Sequence, residues 1–325
     1  MTKFGLGTFS RDGEAAFAGL VLDDRVVPLP EGTTVRALLE DWARSLEDLH
    51  ELAERPPADG HELSELRVLP PVLPCGQLFQ AGANYKQHLV ELMSAPRDRM
   101  HHILSEEELA AARATLDERA RTGRPYVFLG LPHSVCGADD DLVLPAAVGK
   151  PDWELELAVV IGTVARNVSR DDALGVVAGY TICNDITARD HVYRPDIPGI
   201  GTDWLAGKNW PGFFPIGPYV VPSAFLDDPM DLQITLRLNG EVMQDSSTAD
   251  MMFDIARLIE HASSIAELRP GDLLLTGSPA GNGVHHGRFL RPGDVVESEI
   301  TGLGRQRNRC VAEAARPVEV AAKRL

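Results

Sequence analysis

The stretch Asp152-Trp153-Glu154-Leu155-Glu156-Leu157-Ala158-Val159-Val160-Ile161-Gly162 constrains this chain more than any other. Its second half is apolar at consecutive positions, so a strand through it has no wet face and must be covered on both sides. Glu154 and Glu156 then share one face at the entrance to the buried run, about 6–7 Å apart along the strand. Carboxylates so placed are costly to ionise unless a cation or strong donors satisfy them. Hard cations such as magnesium take such oxygens. The alternative is an edge strand with one wet face, which needs no ion.

A further carboxylate is available in Gly179-Tyr180-Thr181-Ile182-Cys183-Asn184-Asp185-Ile186-Thr187-Ala188-Arg189-Asp190, where an apolar strand ends in Asn184-Asp185. Asp185 is the candidate third ligand, against an ordinary strand-terminating turn. In residues 84–92 a helix starting near Asn84 puts His88 and Glu91 on one face, three residues apart. Such a pair can deprotonate a water, because imidazole titrates near neutrality and the carboxylate fixes its tautomer. A solvated surface pair has the same spacing. Lys208 sits in a loop among bulky neighbours, where a solvated lysine is the default. The turn Thr276-Gly277-Ser278-Pro279-Ala280-Gly281-Asn282-Gly283 offers backbone N–H groups to a substrate carboxylate or oxyanion. It lacks the Gly-Lys-Ser/Thr ending of a phosphate-binding loop, which argues against nucleotide hydrolysis.

Around these segments the pattern is that of an α+β chain, mainly β with some α. Residues 3–9, 16–22 and 26–27 predict short strands, and residues 33–53 carry Val35, Leu38, Leu39, Trp42, Leu46 and Leu49 at helical spacing. The run Pro70-Pro71-Val72-Leu73-Pro74 then breaks regular structure and separates a small N-terminal α/β domain, residues 1–72, from a larger one, 73–325. From about residue 78 onward, short apolar runs bounded by Gly, Pro, Asn and Asp predict strands. Asn239-Gly240 predicts a type I′ hairpin turn, and residues 250–264 a helix with one apolar face. Residues 95–124 stand apart: Ser105-Glu106-Glu107-Glu108 caps a charged helix that is either a lid or insertion, or a solvated surface helix.

Charge and cysteine usage narrow the partners. With 48 acidic against 31 basic side chains the 325-residue chain carries a net charge of -17, which disfavours nucleic acid and anionic lipid. The four cysteines have no CxxC spacing, so neither a zinc knuckle nor a disulfide framework is expected. Residues 1–20 have no apolar leader core, and no stretch reaches the roughly 18 apolar residues of a membrane span, so a cytoplasmic location is expected.

The order of the segments carries more than any one of them. Gly82-Ala83-Asn84-Tyr85 with His88 and Glu91, then Asp152 to Leu157, then Gly179 to Asp190, then Lys208, Phe214-Pro215-Ile216-Gly217-Pro218, Asn239-Gly240 with Gln244, Pro270-Gly271-Asp272 and Thr276-Gly277-Ser278-Pro279 resemble successive blocks of the fumarylacetoacetate hydrolase family, from about residue 75 to 312. The resemblance implies a mixed β-sandwich roll, a homodimer, and magnesium or manganese held by Glu154, Glu156 and Asp185. It matches His88 and Glu91 to a water-activating pair and Lys208 to a substrate-binding lysine; Tyr85, Arg124, Gly277 and Ser278 are the further candidates for holding the substrate. Two positions depart from the family pattern. A Pro-x-x-Phe-x-Lys-like stretch reads Pro125-Tyr126-Val127-Phe128-Leu129-Gly130, without its lysine; either Arg121 or Arg124 compensates, or the substrate lacks the group that lysine meets. Ser278 stands where threonine is common, which keeps the hydroxyl. The implied activity is hydrolysis of a carbon–carbon bond in an acylpyruvate or related β-diketo acid. Oxaloacetate decarboxylation, or isomerisation or hydration of a 2-oxo acid, on the same metal site is the alternative, and a non-catalytic binding protein is a second.

Overall fold

The structure, a computed structural model, describes residues 2–11, 13–94, 105–197 and 199–314. The N-terminal apolar runs form an antiparallel meander of β1 (Gly5–Ser10), β2 (Phe17–Leu22) and β3 (Arg25–Pro28). Two helices follow, α1 (Val35–Glu40), capped by the Thr34 hydroxyl, and α2 (Trp42–Glu54). They bury Val35, Leu39 and Leu49, part of the apolar spacing read from the sequence. The short strands β4 (His61–Glu62) and β5 (Arg67–Leu69) return to β3 and β1.

The larger part brings β6 (Leu78–Gly82), α3 (Lys86–Ser94), α4 (Glu106–Thr122), β7 (Tyr126–Gly130), β8 (Val135–Cys136), β9 (Leu142–Leu144) and β10 (Pro151–Asp152). Its centre is β11 (Leu155–Ile161), buried at every residue, beside the equally buried β12 (Val177–Asn184). Next come β13 (Thr187–Ala188), α5 (Arg189–Val192), α6 (Trp204–Lys208) and β14 (Phe214–Pro222). The chain ends in β15 (Gln233–Leu238), β16 (Glu241–Ser247), α7 (Ile255–Ile265), β17 (Leu273–Leu275), α8 (Gly283–His286), β18 (Val295–Ile300) and β19 (Arg305–Ala312).

Twelve strands make the large sheet, in the order β4-β3-β2-β1-β14-β12-β11-β17-β6-β7, with β5 on β1 and β8 on β14. A five-stranded sheet, β16-β15-β18-β19-β9, lies against β11, β12 and β14. The fold is therefore α+β and mostly sheet. The proline-rich run does not interrupt it: Leu6 of β1 pairs with Val220 of β14, and Leu6 and Leu20 share one apolar cluster with Leu157 and Ile182.

Local chemistry explains several elements. Asn239 (φ 54°) and Gly240 (φ 84°) both take the left-handed conformation that the β15–β16 hairpin needs. Helix α7 starts at the Asp254 cap, later than its apolar spacing suggests, because residues 248–250 form a separate tight turn. Helix α4 opens on a capping box in which the Ser105 hydroxyl and the Glu108 carboxylate satisfy each other's backbone N–H. Its far end is fastened by Arg257 of α7, which donates to the Ala120 and Gly123 carbonyls at 2.6 and 2.7 Å. Residues 95–104 of the expected insertion lie outside the described residues.

Candidate metal centre

Antiparallel pairing of β11 with β12 sets Leu155 opposite Asn184, so the start of one strand and the end of the other meet. Glu154 and Asp185 flank that junction, locked by Asp185 N–H to Glu154 O at 2.8 Å and Glu154 N–H to the Asn184 side chain at 2.9 Å. Glu156 lies one pleat further along β11, on the same face as Glu154. The three carboxylates are buried, and each offers an oxygen within 4.8 Å of the others. Because β11 is an interior strand, the wet-edge alternative for Glu154 and Glu156 does not apply.

Lys208, at the end of α6, is buried rather than solvated. Its Nζ lies 2.5 Å from Glu154 Oε2, 2.7 Å from Asp185 Oδ2 and 3.1 Å from the Asp185 carbonyl. Arg189, at the start of α5, pairs with Glu154 and places Nε 2.7 Å from Asp152 Oδ2. Asp152 also accepts from the Gly283 and Val284 N–H groups. Among the described residues, four buried carboxylates, Asp152, Glu154, Glu156 and Asp185, thus face two cations. The deficit is two positive charges, which one divalent ion would supply, and an all-oxygen donor set suits magnesium or manganese.

The electrostatics follow from this imbalance. Burial pushes Asp185 up to about 7, with Glu154 adding to the effect against the pull of Lys208. Burial and then the Asp185 carboxylate push Glu156 well above its usual range. Burial works on Glu154 too, but Arg189 and Lys208 outweigh it and hold that carboxyl at about 2. Besides Gly283, the 276–283 turn brings in Gly277, which at φ +95° gives its N–H to Glu156 Oε2 at 2.7 Å. Ser278 Oγ accepts from the Gln244 side chain at 3.0 Å, and Gln244 in turn accepts from Leu155 N–H.

His88 on α3 is buried, within electrostatic range of Glu154, Arg189 and Lys208, and its Nδ1 has no hydrogen-bond partner among the described residues. Burial lowers its pKa to about 4, against the pull of Glu154 and with Arg189 and Lys208 assisting, so the imidazole is neutral at pH 7. Glu91 is not bonded to it. The carboxylate accepts the Gly281 N–H at 2.9 Å instead and lies 3.8 Å from His285 Nε2. Tyr85 is fully buried, its hydroxyl facing the Thr276 side chain. Its neighbour Asn84 laces this block to the turn by donating to the Thr276 and Phe253 carbonyls. Arg124 is exposed and close to His261 on α7, with no bond to the carboxylates. Arg121 pairs with Glu118 on the exposed face of α4.

Three residues with roles here were not singled out from sequence: Asp152, Arg189 and Gln80. The first two stood in the quoted blocks, and a charged residue bordering an apolar run was their only signal. Gln80, in an apolar strand, gave none.

Comparisons with known proteins bear on the family. The family model described as fumarylacetoacetate (FAA) hydrolase C-terminal matches residues 77–311. The mitochondrial oxaloacetate tautomerase FAHD2B of Homo sapiens is 41% identical over 182 residues, 55% of this chain and 57% of that protein. The 2,4-didehydro-3-deoxy-L-rhamnonate hydrolase of Sphingomonas sp. is 35% identical over 245 residues, 74% of each. The crystal structure of 2-hydroxyhepta-2,4-diene-1,7-dioate isomerase from Mycobacterium marinum superposes with a TM-score of 0.67 at 26% identity, over 96% of this chain and 100% of that one.

Proposed function

This chain belongs to the fumarylacetoacetate hydrolase family, and from that premise we propose that it is a divalent-cation-dependent hydrolase cleaving a carbon–carbon bond in an acylpyruvate or related β-diketo acid. The observation that carries the reading is a neutral, buried imidazole close to an acidic cluster that, among the described residues, is two positive charges short of balance. Magnesium or manganese held by Glu154, Glu156 and Asp185 would supply Lewis acidity toward the oxygens of a 2-oxo acid.

The chain's own residues account for the rest. Neutral His88 takes a proton from water as the oxygen adds to the distal carbonyl. The carbon–carbon bond then breaks, its electron pair stays with the 2-oxo acid fragment as an enolate, and the His88 imidazolium returns the proton to that carbon. Lys208 supplies fixed positive charge where the enolate develops. Glu91 holds the 276–283 turn in place through Gly281, while Arg189 keeps Glu154 ionised and oriented.

A second reading is supported by Glu91, which is engaged elsewhere than on His88. An unassisted His88 suits removal of a carbon-bound proton from a 2-oxo acid such as oxaloacetate, that is, tautomerisation without cleavage. Product analysis separates the two. Acylpyruvates and oxaloacetate are each incubated with manganese or with chelator, on wild type and His88→Ala, and followed by enol absorbance and proton NMR. Metal-dependent release of a carboxylic acid supports hydrolysis. Accelerated keto–enol exchange with no new acid supports tautomerisation, and neither change on any substrate sinks both. The reading also takes the working unit to be a homodimer, supported by the exposed apolar residues Tyr126, Leu129 and Leu131 on and beside the edge strand β7. Light scattering tests it against the 35.3 kDa of one chain.

A further inference from the structure

The stretch 125–130 ends in glycine where the family pattern carries a lysine, and the structure shows what fills the space. Strands β6 and β7 are antiparallel neighbours, with Leu78 opposite Gly130 and Gln80 opposite Phe128. The Gln80 side chain is buried and runs between Gly130 and the carboxylate cluster. Its carboxamide faces an N–H on one side and a carboxylate on the other, so only one orientation sets donors against acceptors. In that orientation the amide nitrogen lies 2.9 and 3.2 Å from Asp185 Oδ2 and Oδ1, and the amide oxygen accepts the Gly130 N–H at 3.0 Å.

The glycine is required for this. A Cβ at position 130 would come within 2.3 Å of the end of the Gln80 amide, and within 3.2 Å of Leu78 Cβ and Phe214 Cζ. A side chain at 130 and the present pose of Gln80 exclude each other. Arg121 and Arg124 do not fill the place, since both lie on exposed surface away from the carboxylates.

We propose that Gln80 is a positioning residue for Asp185, seated in the space that Gly130 leaves and standing in for the lysine missing from that strand. Asp185 is then gripped from two sides, by the Lys208 ammonium and by a neutral amide. A neutral donor fixes the carboxylate's orientation without neutralising it, so the oxygen stays available to a cation.

The inference rests on the reading of Glu154, Glu156 and Asp185 as metal ligands, and its test separates the two. Manganese binding is measured by electron paramagnetic resonance on wild type, Gln80→Met, Gly130→Ala and the double variant, each checked for folding by circular dichroism. Hydrogen bonds to a metal ligand are typically worth about 10- to 100-fold in metal affinity. Gln80→Met should lose that much; Gly130→Ala, which displaces the intact glutamine, should lose a similar amount; the double variant should lose no more than either alone. Gly130→Ala carries the test if Gln80→Met does not fold. Wild-type affinity in either single variant, or losses that multiply in the double, overturns the role of Gln80 while the metal site stands. Absence of manganese binding in wild type overturns both.

Discussion

Replacing Lys208 with methionine removes the ammonium while keeping most of the side-chain volume. The lost interactions are charge-assisted bonds to Glu154 at 2.5 Å and Asp185 at 2.7 Å and a weaker one to the Asp185 carbonyl, all out of contact with water. Removing one partner of a buried pair costs about 3–5 kcal/mol, because the charges left behind stay buried without compensation. Here four carboxylates would face Arg189 alone. At an m-value of about 3 kcal/mol/M the urea midpoint in EDTA at pH 7.5 should fall by roughly 1 to 1.7 M. Saturating manganese should restore more of the midpoint in Lys208→Met than it adds to wild type, since a ligand at about 100 times its dissociation constant contributes about 2.7 kcal/mol. A midpoint in EDTA within about 0.3 M of wild type, roughly 1 kcal/mol at that m-value, would refute the view that Lys208 balances buried carboxylates.

Three other outcomes follow from the same geometry. Asp185 and Glu156 titrate above their ordinary range, so these two carboxyls hold protons in the folded protein that they lose in the unfolded chain, and together they outweigh the one proton that buried His88 gives up between about 4 and 6.5. Metal-free protein should therefore lose stability as pH rises through about 7, and urea midpoints in EDTA that rise from pH 5 to pH 8 would contradict this. His88→Gln should lower kcat by about 100- to 10,000-fold with a small change in KM. Because burial holds the wild-type imidazole near 4, the acid limb of the kcat/KM profile should fall near that pH, and a limb at 6.5 would count against a buried base. Gly277→Ala forces a Cβ onto φ +95° and within 3.0 Å of Asn84 Cβ, so it should cost about 1–3 kcal/mol and weaken manganese binding through the Glu156 contact; an unchanged thermal midpoint would show that the turn relaxes freely.

Local patterns were legible in sequence wherever one residue's own chemistry decides the outcome. The apolar run 157–161 had to be interior, Asn239-Gly240 had to turn, and Ser105 with Glu108 had to start a helix, each a near-neighbour effect. The convergence of Glu154, Glu156 and Asp185 was suggested by periodicity and given its order by the family blocks. What stayed hidden depends on contacts between distant segments. The spacing of His88 and Glu91 on α3 implies a pair, but a backbone N–H from residue 281 competes for the carboxylate and wins it. Gln80 reads as a polar interruption of a strand until Gly130 and Asp185 are placed beside it. The proline-rich run looked like a border because prolines break local structure, while the pairing of β1 with β14 joins residues on both sides of it.

That last pairing also sets a timetable for biosynthesis. Leu6 meets Val220, so about 210 residues must be synthesised before the first strand finds its inner neighbour. At a typical 5–20 residues per second the wait is roughly 10–40 s, during which an apolar meander with an open edge trails from the ribosome. Strand β6 waits as well, for β17 near residue 273, so the sheet is assembled late and from both flanks. Yield in a cell should accordingly respond to chaperone supply and to growth temperature more sharply than the stability of the finished fold would suggest.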